Sequence, residues 1–353
     1  MIEVIQIIVF FGITIFVHEL GHFVAAKAMG FKVRSFAIGW GPKLFSFKKG
    51  ETEYLINLLL VLGGYVKMEG ENPDEIDPSD GRAFLNQHPI KRMVAVSAGV
   101  VMNFFFAIFL LWVVFFAGVE TLMPKVGEVV KNEPAYAAGV KAGDVFVEMN
   151  GRKIRHWEDL TDEITRTRGD LFAKVNRDGR IIKLTIKPGI MEDETILKEK
   201  IKRRYIGIKA ANDYSKEKYG PVQALRKSVN QTLNLSGLML KSIYRMITGK
   251  MAPDVAGPVG IMHLSYKVAK EGLVELLMFF AIINISLALM NFLPVPPLDG
   301  GLVLMFLIEA VIGRPVPLKV QNALIEFGWL MLILLLVFVT YKDITRFFTP
   351  GHG

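Results

Sequence analysis

The sequence predicts a polytopic α-helical membrane protein with about four transmembrane helices. A membrane-associated β element is expected after the first helix, and an α+β domain is inserted between the second and third. Three observations carry this. First, 52% of the 353 residues are hydrophobic and mean hydropathy is +0.37, so the 22% that are charged must cluster elsewhere. Second, no charged residue separates Arg92 from Glu120, or Glu275 from Asp299. Each gap exceeds the roughly 20 residues that cross a bilayer as a helix. Third, the stretch between these two runs is charged, alternates in polarity and carries turn pairs, as a water-soluble module does.

The composition also excludes some classes. A net charge of +8 raises nucleic acid as a partner, but no basic helix or aromatic–basic platform accompanies it. Basic flanks of membrane spans explain the surplus better. The absence of cysteine rules out disulfides and thiolate metal sites. The N-terminal apolar run lacks the basic leader of a cleaved signal and carries chemistry-bearing residues, so it is read as retained.

Four regions follow in order. Residues 1–119 hold the first two spans, about Ile2 to Gly30 and Met93 to Val119, with a loop of short strands between them. Those strands are Lys32–Ile38, Lys43–Phe47, Thr52–Asn57 and Tyr65–Met68, punctuated by Gly39, Gly41, Gly50 and Gly63-Gly64. Leu58–Leu62 reads as an apolar connector that dips into the membrane, and Glu69–Asp80 as an acidic, solvated linker. The strands suit pairing with an extended peptide, or else form a small structural sheet.

Residues 120–213 form the inserted α+β module. Strands are expected at Val126–Val130 and Val145–Met149, a short helix at Pro134–Gly139 and another helix at Trp157–Thr167. A hairpin, Phe172–Arg177 with Ile181–Ile186, turns at Asp178-Gly179. Residues 214–272 read as amphipathic or interfacial helices, with 221–247 suited to the membrane surface, and hold a rigid turn at Gly257–Gly260. Residues 273–353 hold the last two spans. The fourth, Phe327–Tyr341, is short and must extend upstream, and Leu302–Ile312 is too short to span and reads as re-entrant or interfacial.

Lys27, Lys32, Arg34, Lys91 and Arg92 flank the first loop, which places it in the cytoplasm and the N-terminus outside. Spans one and three then both run inward, and the inserted module is extracytoplasmic. This parity brings the inner ends of spans one and three to the same depth.

At the inner end of span one stands His18-Glu19-Leu20-Gly21-His22. Histidines four apart project from one helical face and can grip one metal ion, with Glu19 placed to take a proton from a water. Ionisable groups inside an apolar segment are costly and so are functional candidates. A catalytic zinc takes three protein ligands. His88, His156, His263 and His352 lie in loops, the module or the tail. Asp299 follows span three directly, behind Pro294, Pro296 and Pro297 and ahead of Gly300-Gly301; Glu309 and Glu326 are weaker candidates.

The pair formed by this motif and Asn291-Phe292-Leu293-Pro294-Val295-Pro296-Pro297-Leu298-Asp299-Gly300 resembles the site-2 protease family of intramembrane zinc metalloproteases. Within it, the chain is similar to the bacterial RseP-type branch, the regulator of sigma-E protease. Gly63 to Met68 is similar to that branch's membrane-associated β element, and Ala98-Gly99 and Asn103 to its second span. The resemblance implies that His18, His22 and Asp299 bind Zn2+ and that Glu19 is the catalytic base. It implies substrate-holding roles for Tyr65, Val66, Lys67, Met68 and Asn291. Its substrates would be transmembrane proteins of the anti-sigma-factor type or remnant signal peptides, cut in the bacterial cytoplasmic (inner) membrane. The inserted module resembles a circularly permuted PDZ domain, with Tyr205-Ile206-Gly207-Ile208 similar to the loop that captures a peptide C-terminus. Two other readings stand beside this one: an inactive membrane-anchored PDZ scaffold, and a metal transporter.

Overall fold

The computed structural model describes residues 2–71, 77, 79–195, 197–252 and 256–348. Part of the acidic Glu69–Asp80 stretch therefore lies outside the described residues. In chain order the elements are α1 (Ile2–Ala28), β1 (Val33–Lys49), β2 (Thr52–Met68), α2 (Pro89–Ala117), β3 (Val119–Leu122) and β4 (Val126–Val129). They continue with α3 (Pro134–Ala137), β5 (Val145–Met149), β6 (Arg152–Lys153), α4 (Trp157–Arg166), β7 (Leu171–Arg177) and β8 (Arg180–Ile186). After β9 (Gly189–Glu194), β10 (Lys200–Tyr205), β11 (Ile208–Ala210) and β12 (Tyr214–Glu217) the chain is helical. The helices are α5 (Pro221–Ile247), α6 (Pro258–Glu271), α7 (Leu273–Phe292), α8 (Asp299–Ile312) and α9 (Leu318–Phe348). Two compact units result: residues 1–114, 221–241 and 253–353 form one, and residues 115–220 with 242–252 the other.

In the first unit, α1, α2, α7 and residues 318–345 of α9 are each long and apolar enough to cross a membrane. These are the four expected spans, the fourth lengthened upstream as its short apolar run required. The Gly257–Gly260 segment is more than a turn. Pro258 starts α6 in the first turn, where a missing N–H breaks no intrahelical bond, and Asp343 of α9 accepts hydrogen bonds from the Gly257 and Gly260 amides. Gly272, at φ +151, then breaks α6 from α7.

The β element is organised differently from four separate short strands. β1 and β2 each run 17 residues, and the Leu58–Leu62 connector lies inside β2. Both strands bend at glycines of positive φ, Gly39 and Gly41 in β1 and Gly63 in β2, so their halves find different partners. Phe47 and Phe36 both pair with Tyr54, while Phe36 also pairs with Val66 and Ala37 with Tyr65. The spatial order across the sheet is 43–49, 52–57, 33–38, 64–68, and residues 64–68 form an edge among the described residues. Phe16 and Phe23 of α1 pack edge-on against Phe36, which seats the sheet beside α1. Trp40, Leu44, Phe45, Phe47 and Leu58 stay exposed along the sheet, an apolar surface suited to lipid.

The second unit is a β6-β5-β7-β8 sheet with three further strand pairs, β4–β11, β3–β12 and β9–β10. Phe146, Met149, Leu171, Val175 and Ile186 of the sheet bury against Leu160 of α4 and Ile206. Asn150-Gly151 and Asp178-Gly179 adopt the positive φ that tight hairpin turns demand. Strands β9 and β10 carry no clear alternation and were not anticipated; their cross-strand Lys202–Glu192 and Lys200–Glu194 pairs mask the hydrophobic pattern.

Candidate active site

α7 ends where Pro294 removes a backbone donor, and the chain turns through Leu293–Leu298 to open α8 at Asp299. This return places the Asp299 carboxylate against the face of α1 that carries His18 and His22. Asp299 Oδ2 lies 3.4 Å from His18 Nε2 and 3.4 Å from His22 Nε2, and the two Nε2 atoms are 3.2 Å apart. Three donors bound to one tetrahedral ion at about 2.0–2.2 Å would stand about 3.3–3.6 Å apart, so the triangle has the size of a zinc site. Asp299 Oδ2 is buried without a hydrogen-bond partner, as an atom aimed at a cation would be. These three residues are the one His/Asp/Glu group of metal-binding geometry found among the described residues.

The supporting contacts agree with that donor set. His22 Nδ1 lies 3.0 Å from the Ala95 carbonyl, an acceptor only, so the ring proton sits on Nδ1 and the Nε2 lone pair is free. α2 presses closely on α1 here. A Cβ at Gly99 would collide with His22 Nε2 and come within 2.8 Å of His18 Cε1, so only glycine leaves room for the two rings. Asn103, one turn further along α2, contacts His18 at 3.2 Å.

Glu19 is buried (8% exposed) and packs against β2, where a Cβ on Gly64 would stand 2.7 Å from its Cγ. A cavity of about 230 Å³ contains the three donors and Glu19, and Val66 and Met68 line one wall. Tyr65 and Lys67 alternate to the other face of the strand, Tyr65 against Trp40. Asn291 sits half-buried in the last turn of α7 and is not among the residues lining the cavity. Glu71 does line it, and burial pushes its carboxyl up to about 7. Sequence reasoning missed Glu71 because it falls in an acidic stretch that resembles a solvated linker.

In the second unit, Tyr205, Ile206, Gly207 and Ile208 join β10 to β11 and line a groove of about 310 Å³ with Leu160 and Ile164 of α4. Gly207 has φ +77, which leaves the loop free to turn its amides.

Two imidazoles and a carboxylate around an ion-sized gap, with a buried glutamate alongside and apolar helices about them, define a membrane-embedded metallohydrolase. The chain belongs to peptidase family M50, the site-2 proteases, whose model matches residues 6–335, and it is a zinc metalloprotease. A candidate zinc metalloprotease of Clostridium acetobutylicum is 35% identical, over 97% of each chain. The regulator of sigma-W protease RasP of Bacillus subtilis is 30% identical over 98% of this chain and 99% of its own. The zinc metalloprotease RasP of Bacillus licheniformis is 28% identical over the same shares.

Proposed function

We propose that this protein is an intramembrane zinc endopeptidase that carries out regulated proteolysis of single-pass membrane proteins, of the anti-sigma-factor type or as remnant signal peptides. The observation that carries the reading is the 3.2–3.4 Å donor triangle of His18, His22 and Asp299 with Glu19 in the same cavity. Zinc, when bound, acidifies a water and polarises the scissile carbonyl. Glu19 takes the proton of the attacking water and returns it to the leaving amine nitrogen. The Asp299 carboxylate and the two imidazoles hold the ion. Val66, Met68 and Leu302 give the cavity an apolar flank beside the three donors and Glu19.

A substrate helix hides its carbonyls in its own hydrogen bonds and must unwind before attack. The 64–68 edge offers the freed segment main-chain pairing beside Glu19, with Val66 and Met68 toward the cleft and Tyr65 and Lys67 on the far side. Asn291, in the last turn of α7 before the proline-rich return, holds the segment from a position outside the cavity lining. The second unit acts as a PDZ-like module that takes a peptide C-terminus at Tyr205–Ile208. The chain sits in the bacterial cytoplasmic membrane with this module outside, and the four regions drawn from the sequence are its working parts.

The test is to reconstitute the protein with a model single-pass substrate and map the cut bond by mass spectrometry. A cut within the apolar segment is expected. Glu19→Gln should lower the rate by about 10²–10⁴ while zinc content is kept. Cuts confined to soluble loops, or undiminished turnover by the variant, would overturn the reading.

A further inference from the structure

Asn103 lies within the second apolar helix and is buried (1% exposed). A carboxamide at that depth is costly unless its polar atoms are used. Its Nδ2 stands 3.2 Å from His18 Nδ1, whereas its Oδ1 is buried with no hydrogen-bond partner. His18 Nε2, on the far side of the ring, belongs to the donor triangle.

A neutral imidazole that commits Nε2 to a cation carries its proton on Nδ1, and that N–H needs an acceptor. His22 has one in the Ala95 carbonyl. For His18 the neighbouring group is the Asn103 amide. Its nitrogen can donate to a bare Nδ1 in the metal-free ring. Turned over, the same amide offers Oδ1 to an Nδ1–H when Nε2 is engaged. We infer that Asn103 is a positioning residue which holds His18 in the tautomer and orientation that bind zinc. This rests on the metal-site reading proposed above. It goes further by assigning the amide a task distinct from joining α1 to α2, the ordinary role of a polar residue between membrane helices.

The experiment uses the purified full-length protein and measures zinc affinity by competition with a chelator, together with thermal unfolding of the metal-free form. Asn103→Leu keeps the volume and removes the acceptor. It should weaken zinc binding by about 10–100-fold with little change in metal-free unfolding. Asn103→Asp restores an acceptor and should bind zinc within a few-fold of the wild type or more tightly. If the leucine variant does not fold, Asn103→Ala and Asn103→Asp provide the same contrast. Wild-type affinity in the variants lacking an acceptor, or equal loss in the aspartate variant, would overturn the assignment. His18→Ala serves as the reference: its loss of zinc keeps the metal-site reading in place while Asn103 is judged. Its retention of zinc would bring down both.

Discussion

Each histidine of the triangle has a polar partner at its second nitrogen, His22 a carbonyl and His18 an amide. On the metal-site reading proposed above, His22 needs little further ordering when an ion arrives, and His18 needs only the Asn103 amide to turn over. Asp299→Asn should weaken zinc binding sharply, because a neutral amide replaces the one anionic donor; zinc content after chelator dialysis checks this. Gly99→Ala is a steric test from the opposite side, since the added methyl meets both rings. It should cost most of the zinc and the activity without removing any ligand, and metal analysis of the folded variant decides it. The His18–His22 spacing was legible because a helix repeats every 3.6 residues. Asn103 carried no such signal. Its role depends on a contact across 85 positions between two helices, and sequence spacing says nothing of that.

Among the elements, the bent sheet explains how an edge comes to lie beside the cavity of His18, His22 and Asp299. The four short strands could be read from alternation and glycine punctuation, but the sequence does not tell that their pairing order runs 43–49, 52–57, 33–38, 64–68. Register comes from the bends at Gly39, Gly41 and Gly63, which only tertiary partners define. If the edge pairs with substrate, Val66→Pro removes one backbone donor and distorts the strand. Cleavage should then fall by tenfold or more while zinc content holds, as a rate measurement on the zinc-loaded variant would show; wild-type rates would make the sheet purely structural. α6 falls in the stretch expected to hold interfacial helices, but its start was not placed, because Gly257-Pro258 reads as a turn and the carboxylate that caps the helix, Asp343, lies 86 positions away.

Across the whole molecule, the spans were the most legible feature, since long uncharged runs admit few other solutions in lipid. The inserted module was legible in its hairpin turns and less so in β9 and β10, where charged cross-strand pairs replace apolar alternation. Its stability turns on Asp144, which is fully buried and accepts two bonds from Arg177 and one from the Lys141 amide. Burial pushes its carboxyl up, but Arg177 and the amide outweigh that and hold it below the ordinary value. The stabilisation is therefore present above about pH 4, the unfolded carboxyl range, and is lost as pH falls toward the folded value. Asp144→Asn should destabilise the module by about 3 kcal/mol, visible as earlier protease nicking in residues 115–220 and a flatter acid dependence. The account as a whole depends on two segments 277 positions apart, His22 and Asp299, sharing one ion. Zinc-edge X-ray absorption of the purified protein tests this directly: two imidazole nitrogens with a carboxylate oxygen at about 2.0–2.2 Å are predicted, the oxygen changed in Asp299→Asn. A zinc spectrum identical in wild type and variant, or one lacking a pair of imidazoles, would contradict it.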